Sequence, residues 1–302
     1  MLRVHSKKLI VVVGPTAVGK TEVAIRLAEH FHTEIISADS RQIFKELEIG
    51  TAKPSRDELS KVPHHFISSH SIRESYDAGT YGRDAIQLIY TLFERLDYLI
   101  LCGGSGLYVK AVLEGFDEMP EIPPGTREKI TEEYKVRGLA WLQSEVKSID
   151  PDYFEVVDIN NPHRLIRALE LHRAIKMPLH QLRLKKKIEH PFQVVKIGLE
   201  LKRTELYERI DDRMDNMIAA GLFEEANRFF FNKELNALQT VGYSEIFGYM
   251  EGMYNREEAI RLLKRNTRQY AKRQLTWFKK DQEIAWFHPS QIESIISHSE
   301  KK

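Results

Sequence analysis

The chain has 302 residues, 42% hydrophobic and 29% charged, with 45 basic side chains against 44 acidic ones. This composition supports a real core, excludes extensive disorder, and leaves room for one large α/β domain plus an insertion or for two domains. The net charge of +1 argues neither for nor against nucleic acid, while the single cysteine, Cys102, excludes an internal disulfide or a multi-cysteine zinc site and suits a reducing compartment.

Lys7 and Lys8 precede an apolar run at 9–13, which is too short for the core of an export signal. No stretch approaches the length of a membrane span. The expectation is a soluble, cytoplasmic protein without membrane contacts, and a monomer by default.

The run LIVVV at 9–13 reads as a buried strand, followed by GPTAVGKT at 14–21 and then a helix. In this pattern Gly14 and Gly19 free the backbone to turn its N–H groups around an anion. Lys20 adds a positive charge, and the Thr21 hydroxyl is placed for magnesium. Val23, Ala24, Leu27, Ala28 and Phe31 share one face of the following helix, whose positive end points at the same spot. A phosphate or pyrophosphate compound is expected here. A second short strand, EIISAD at 34–39, ends in Asp39. At the carboxyl edge of a parallel sheet Asp39 would lie near the phosphate loop; the lesser alternative is an Asp capping the next helix. Ser40, Arg41 and Gln42 follow as a polar cluster. Residues 49–54, IGTAKP, and 63–66, PHHF, read as loop, since two adjacent histidines rarely chelate one ion.

A helix is expected over 82–96, with Ile86, Ile89, Tyr90 and Phe93 buried. A buried strand at 98–101 then enters the glycine-rich turn CGGSGLY. An ATPase commonly ends such a strand with a magnesium-holding Asp, but here Cys102 and glycines follow, and Asp97 stands at the wrong end. Asp39 is left as the best-placed acid. The proline-rich stretch 118–125 marks a break. Beyond it, helices are expected at 126–137, 139–148 and 162–176, the last capped by Asn161 with Pro162 at its first position. Arg164 and Arg167 lie one turn apart there, on a surface that is either solvated or functional. Strand character returns at 192–199. Thr204 opens a helix ending at Gly221, on which Arg209 and Arg213 share a face; they would clamp a pyrophosphate or pair with Glu205 and Asp212. The last long helix, 256–280, holds eight Lys and Arg residues and no acid between Arg261 and Lys280. Arg261, Arg265, Arg268 and Lys272 recur at helical spacing, with Tyr270, Trp277 and Phe278 interleaved. That stripe suits an RNA backbone or a solvated amphipathic helix. The predicted fold is α/β: a P-loop NTPase-like parallel sheet flanked by helices, over 1–116 and 191–302, with an all-helical insertion domain at 117–190.

Taken together, GPTAVGKT, SADSRQIF, IGTAKP, HHF, CGGSGLY, NPHRLIRALE and AKRQLTWF resemble the bacterial tRNA dimethylallyltransferases, in the expected order and nearly to the C-terminus. Ser105 stands where that family commonly has Thr, which keeps the hydroxyl. The zinc finger that some eukaryotic relatives append is absent. The resemblance implies transfer of a dimethylallyl group from dimethylallyl diphosphate to the N6 amine of the adenosine 3′ of the anticodon in tRNA, with Mg2+ as cofactor. It implies that Asp39 is the base, with Lys20 and Ser105 also catalytic. Gly14, Pro15, Thr16, Ala17, Val18, Gly19, Lys20 and Thr21 would hold the diphosphate, with Arg209 a further candidate and Thr21 on the metal. It places Asp39, Ser40, Arg41, Gln42 and Ser105 at the flipped base and its neighbours. Further tRNA contacts would come from Arg127, from His163, Arg164, Leu165, Ile166 and Arg167, and from Lys272, Arg273, Gln274 and Trp277. Two rivals stand beside this: an adenylate isopentenyltransferase acting on free AMP, ADP or ATP, and an ATP-dependent RNA-binding protein or small-molecule kinase. The first has little use for the basic helix or the insertion, and the second lacks its acid after Leu101.

Overall fold

A computed structural model describes residues 7–116, 122–182 and 188–301. The chain divides into two compact units, one within 1–113 and 189–302 and the other within 114–188, where sequence had set the insertion at 117–190. The first unit opens with β1 (Lys8–Val13), α1 (Lys20–His30), β2 (Ile35–Ser37), α2 (Arg56–Lys61), β3 (His64–His65), α3 (Ala78–Phe93), β4 (Tyr98–Gly103) and α4 (Gly106–Leu113). In the second unit the described elements are α5 (Thr126–Ile149), α6 (Pro151–Val156), α7 (Pro162–Ile175) and α8 (Leu179–Leu182). The first unit then resumes with β5 (Gln193–Leu199), α9 (Arg203–Ala219), α10 (Leu222–Phe229), α11 (Tyr243–Met250), α12 (Arg256–Phe278), β6 (Ala285–Phe287) and α13 (Ile292–Glu300).

The six strands form one parallel sheet in the order β3-β2-β4-β1-β5-β6. All six residues of β1 are buried, as a central strand covered on both faces requires. Its side chains alternate between two cores. Leu9, Val11 and Val13 pack with Ile89 and Tyr108, whereas Ile10 and Val12 pack with Leu27, Leu206 and Ala271. Register carries the function: Val13 lies opposite Gly103 and Gly198, and Ser37 opposite Cys102. The carboxyl ends of β1, β2 and β4 therefore stand level, and the loops that leave them converge.

Several elements differ from expectation for local reasons. The Asp77 side chain accepts from Thr80 N at 2.8 Å and starts α3 at Ala78, four residues before the expected onset at 82. His64 and His65 form a short strand beside β2 rather than loop. The helices expected at 126–137 and 139–148 are both present within α5, broken at Gly138, whose φ of 76° leaves the helical region. Leu142, Val146, Leu165 and Leu169 centre the core of that unit. The break expected at 118–125 lies partly outside the described residues.

Candidate active site

The converging loops wall a cavity of about 430 Å3. One wall is Thr16, Ala17, Gly19, Lys20 and Thr21; facing them are Asp39, Gln42, Arg209, Arg213, Tyr270 and Gln274. Gly19 caps α1 at a φ of 99°, a backbone state costly for any residue with a Cβ. The first turn of α1 then offers unpaired N–H groups and the positive end of its dipole to the cavity.

Lys20 folds back over the loop. Its Nζ donates to the Gly14 carbonyl at 3.0 Å and to the Pro15 carbonyl at 2.7 Å. Burial pushes its pKa down to about 8, Arg213 adds to the fall, and Asp39 opposes it. At the end of β4, burial holds the Cys102 thiol neutral, with its pKa pushed up to about 12. Asp39 is thus the acid facing Lys20. Its Oδ1 accepts from Arg41 N at 2.9 Å and from Gln42 N at 3.2 Å. Asp39 lines the cavity, and no helix follows for it to cap; its Oδ1 instead holds the turn at 40–42. Ser105 Oγ accepts from Ser40 N at 2.9 Å and donates to Ser40 Oγ at 3.1 Å, which ties the β4 turn to the Asp39 turn.

Within the phosphate loop, Gly14 and Pro15 give their carbonyls to Lys20, the Val18 side chain is fully buried in the core, and Thr16 N donates to Gln274 Oε1 at 2.8 Å. Thr16, Ala17, Gly19, Lys20 and Thr21 line the cavity. Arg209 is exposed and pairs with Glu205 at 3.1 Å; Arg213 is the more enclosed, and burial lowers its pKa. Of the arginine pair, Arg213 is the stronger candidate.

The expected RNA contacts also divide. Leu165 and Ile166 are packed in the core of the second unit, so their side chains are not available as contacts. Arg127 and Arg167 both pair with the buried Glu170, at 3.2 and 3.4 Å. His163 and Arg164 are exposed at the start of α7. On α12, Arg261 pairs with Glu258 at 2.5 Å, Lys264 with Asp215 at 2.7 Å and Arg268 with Asp211 at 2.8 Å. Two of the four stripe residues, Arg261 and Arg268, are therefore paired with acidic neighbours. Lys272, Arg273 and Trp277 are exposed, whereas Gln274 is 7% exposed. Gln42 lines the cavity with Nε2 donating to the Thr51 and Ala52 carbonyls at 3.2 and 3.0 Å, and Arg41 is half-buried with its pKa lowered by burial.

Sequence reasoning missed two groups. His64 lines the cavity and, because its Nδ1 donates to the Val62 carbonyl at 2.9 Å, presents Nε2 as an acceptor. Glu225, 1% exposed, accepts from the backbone N–H groups of Glu48, Ile49 and Gly50 at 3.1, 2.9 and 2.8 Å, and from the Tyr243 hydroxyl at 2.6 Å. It anchors the segment whose continuation, Thr51–Pro54, lines the cavity. No local pattern marks a Glu on an amphipathic helix as a loop anchor.

Residues 42–281 match the IPP transferase family model. This chain belongs to the IPP transferase family. Among curated members, the tRNA dimethylallyltransferase of Cytophaga hutchinsonii is 53% identical over 98% of both chains. The tRNA dimethylallyltransferase 1 of Bacteroides fragilis is 44% identical over 97% of each. Among solved structures, the full-length tRNA isopentenylpyrophosphate transferase of Bacillus halodurans superposes with a TM-score of 0.71 at 35% identity, covering 96% of this chain and 95% of that one. A eukaryotic dimethylallyltransferase acting on tRNA shares the fold, with a TM-score of 0.76 at 24% identity over 97% of this chain and 77% of its own. The parallel sheet of this IPP transferase family member is thus the family's sheet.

Proposed function

We infer that this chain is a tRNA dimethylallyltransferase, moving the dimethylallyl group of dimethylallyl diphosphate onto the N6 amine of the adenosine 3′ of the anticodon and releasing diphosphate. The observation that carries this reading is one cavity with an anion-binding wall, Lys20 and Thr21 at the start of α1, facing Asp39. The end of β4 offers a neutral thiol where a nucleotide hydrolase would place an acid. Membership of the family supports tRNA over a free adenylate as acceptor.

The roles follow from the charges. As the allylic C–O bond breaks, negative charge grows on the leaving diphosphate, where the α1 N–H groups, Lys20 and Arg213 stabilise it. The adenine N6 lone pair forms the new C–N bond, and its proton passes to the Asp39 carboxylate. Adenine reacts only once it has left the base stack. Magnesium asks for few protein oxygens when substrate phosphates and water complete its shell. Thr21 on the cavity wall fits that demand, and the ion would neutralise diphosphate charge. His163 and Arg164 of the second unit, and Lys272, Arg273 and Trp277 of the first, are exposed groups suited to the anticodon stem and loop. The enzyme acts as a cytoplasmic monomer; among the described residues no helix is long and apolar enough to cross a membrane.

Purified protein with radiolabelled dimethylallyl diphosphate, offered unmodified tRNA or AMP, tests the reading. Label is expected in tRNA. Label in AMP alone, or ATP turnover without label transfer, would overturn it.

A further inference from the structure

Gln274 sits on α12 between exposed and buried positions. Its neighbours Lys272 and Arg273 are exposed, yet Gln274 itself is 7% exposed. Both ends of its amide are occupied by backbone. Oε1 accepts from Thr16 N at 2.8 Å, and Nε2 donates to the Gly104 carbonyl at 2.9 Å. The orientation is dictated by the partners, since one is a donor and the other an acceptor. One side chain therefore bridges the phosphate loop to the turn that carries Ser105, across 258 positions of sequence on one side and 170 on the other.

The glycines of that turn are shaped to this bridge. A Cβ on Gly104 would lie 2.3 Å from Gln274 Nε2, and one on Gly106 would lie 2.2 Å from Trp277 Nε1. Trp277 is one turn further along α12 and 39% exposed. Any side chain at 104 would push the amide off its acceptor. The side chain length matters as well: Asn is one methylene too short to span both partners. Glu would set an acceptor against the Gly104 carbonyl and add negative charge beside the anion site.

We propose that Gln274 is a positioning residue for the diphosphate rather than a contact for RNA. It holds the phosphate loop and the Ser105 turn at a fixed separation, so the anion-binding N–H groups keep their place on the cavity wall that Gly103 and Gln274 also line. This rests on the prenyl-transfer reading for the identity of the substrate, but not for the bridge. The residues of α12 that meet RNA on this proposal are Lys272, Arg273 and Trp277, and Gln274 links them to the loop.

The test pairs Gln274→Met, which keeps length and removes both hydrogen bonds, with Gly104→Ala, which displaces the same amide from the opposite side. Calorimetry with inorganic diphosphate and magnesium, filter binding of tRNA, and steady-state kinetics are measured on the full chain, with thermal unfolding as the check on folding. Gln274→Met is expected to weaken diphosphate binding and raise KM for the prenyl diphosphate by about tenfold. The Kd for tRNA should stay within about twofold. Gly104→Ala should reproduce the loss, and the double variant should be no worse than either single one, because both break one bridge. Loss of tRNA affinity with diphosphate binding intact would overturn the proposal, as would additive losses in the double variant. Should one variant fail to fold, the other alone decides between diphosphate loss and tRNA loss. A wild-type protein that binds diphosphate but transfers no label to tRNA would strike the functional reading and leave the bridge standing.

Discussion

Lys8 opens β1 and Lys20 opens α1, and the two lysines are treated in opposite ways. Lys8, 4% exposed at the amino end, donates to the carbonyls of Ser299, Glu300 and Lys301 at 3.2, 2.9 and 2.7 Å. Those carbonyls close the carboxyl end of α13, where a cation is favoured by the helix dipole. Lys20 stands instead at the amino end of α1, where a cation is disfavoured, with two loop carbonyls for partners and a pKa pushed down to about 8 by burial. A lysine placed for structure is met by the negative end of a helix. One placed against the positive end is unfavourable on its own and suits an anion held between the two, as the proposed diphosphate would be.

Replacing each lysine by Met should separate the two roles. Lys20→Met is expected to lower kcat/KM for transfer by about a hundredfold to a thousandfold, the range for losing one donor to a developing anion. Its melting temperature should hold, since a desolvated cation has been removed; a fall as large as that of the Lys8 variant would put both lysines in one class. Lys8→Met strands three carbonyls and should cost about 1–3 kcal/mol, read as a lower melting temperature, with kcat/KM of the folded protein within about twofold. A transfer defect there at temperatures well below melting would break the comparison from the other side.

Two smaller effects sharpen it. Lys20 is protonated below its pKa of about 8, so dimethylallyl diphosphate affinity should be flat below that pH and fall above it towards tenfold per unit. The Lys20→Met variant should show no such break. The Asp39 charge supports the protonated form of Lys20, and Asp39→Asn should therefore move the break to lower pH; a move upwards would mean that the two groups do not face each other. Smallest on transfer is Glu225→Gln, which turns an NH2 donor against backbone donors. A loss of about 2 kcal/mol in denaturant unfolding is expected, with a modest rise in KM as Thr51–Pro54 loosens.

Much of the site was legible because it is local. A buried strand, glycines at the right spacing and a helix specify an anion loop within a few residues, and Asp39 follows a strand whose edge position the parallel sheet dictates. What escaped depends on distant partners. Arg209 and Arg213 share one helical face in sequence and both line the cavity, but only the docking of α9 encloses Arg213 while Arg209 stays exposed beside Glu205. The charge count on α12 was correct, but Asp211 and Asp215, which neutralise Arg268 and Lys264, lie on α9 and are invisible from α12 alone. β6 is three residues long and carries no periodicity to read; it exists because β5 offers it an edge. Leu165 and Ile166 sit inside the NPHRLIRALE motif, and their burial shows that part of that motif holds a helix in place.

The bridge at Gln274 also has a consequence in time. Thr16 leaves the ribosome 258 residues ahead of the side chain that secures its N–H. At synthesis rates of about 5–20 residues per second, the phosphate loop waits roughly ten seconds to a minute for its partner. During that interval the nascent sheet carries an anion loop whose second wall does not yet exist. The bond that fixes the loop therefore forms only once α12 has been made.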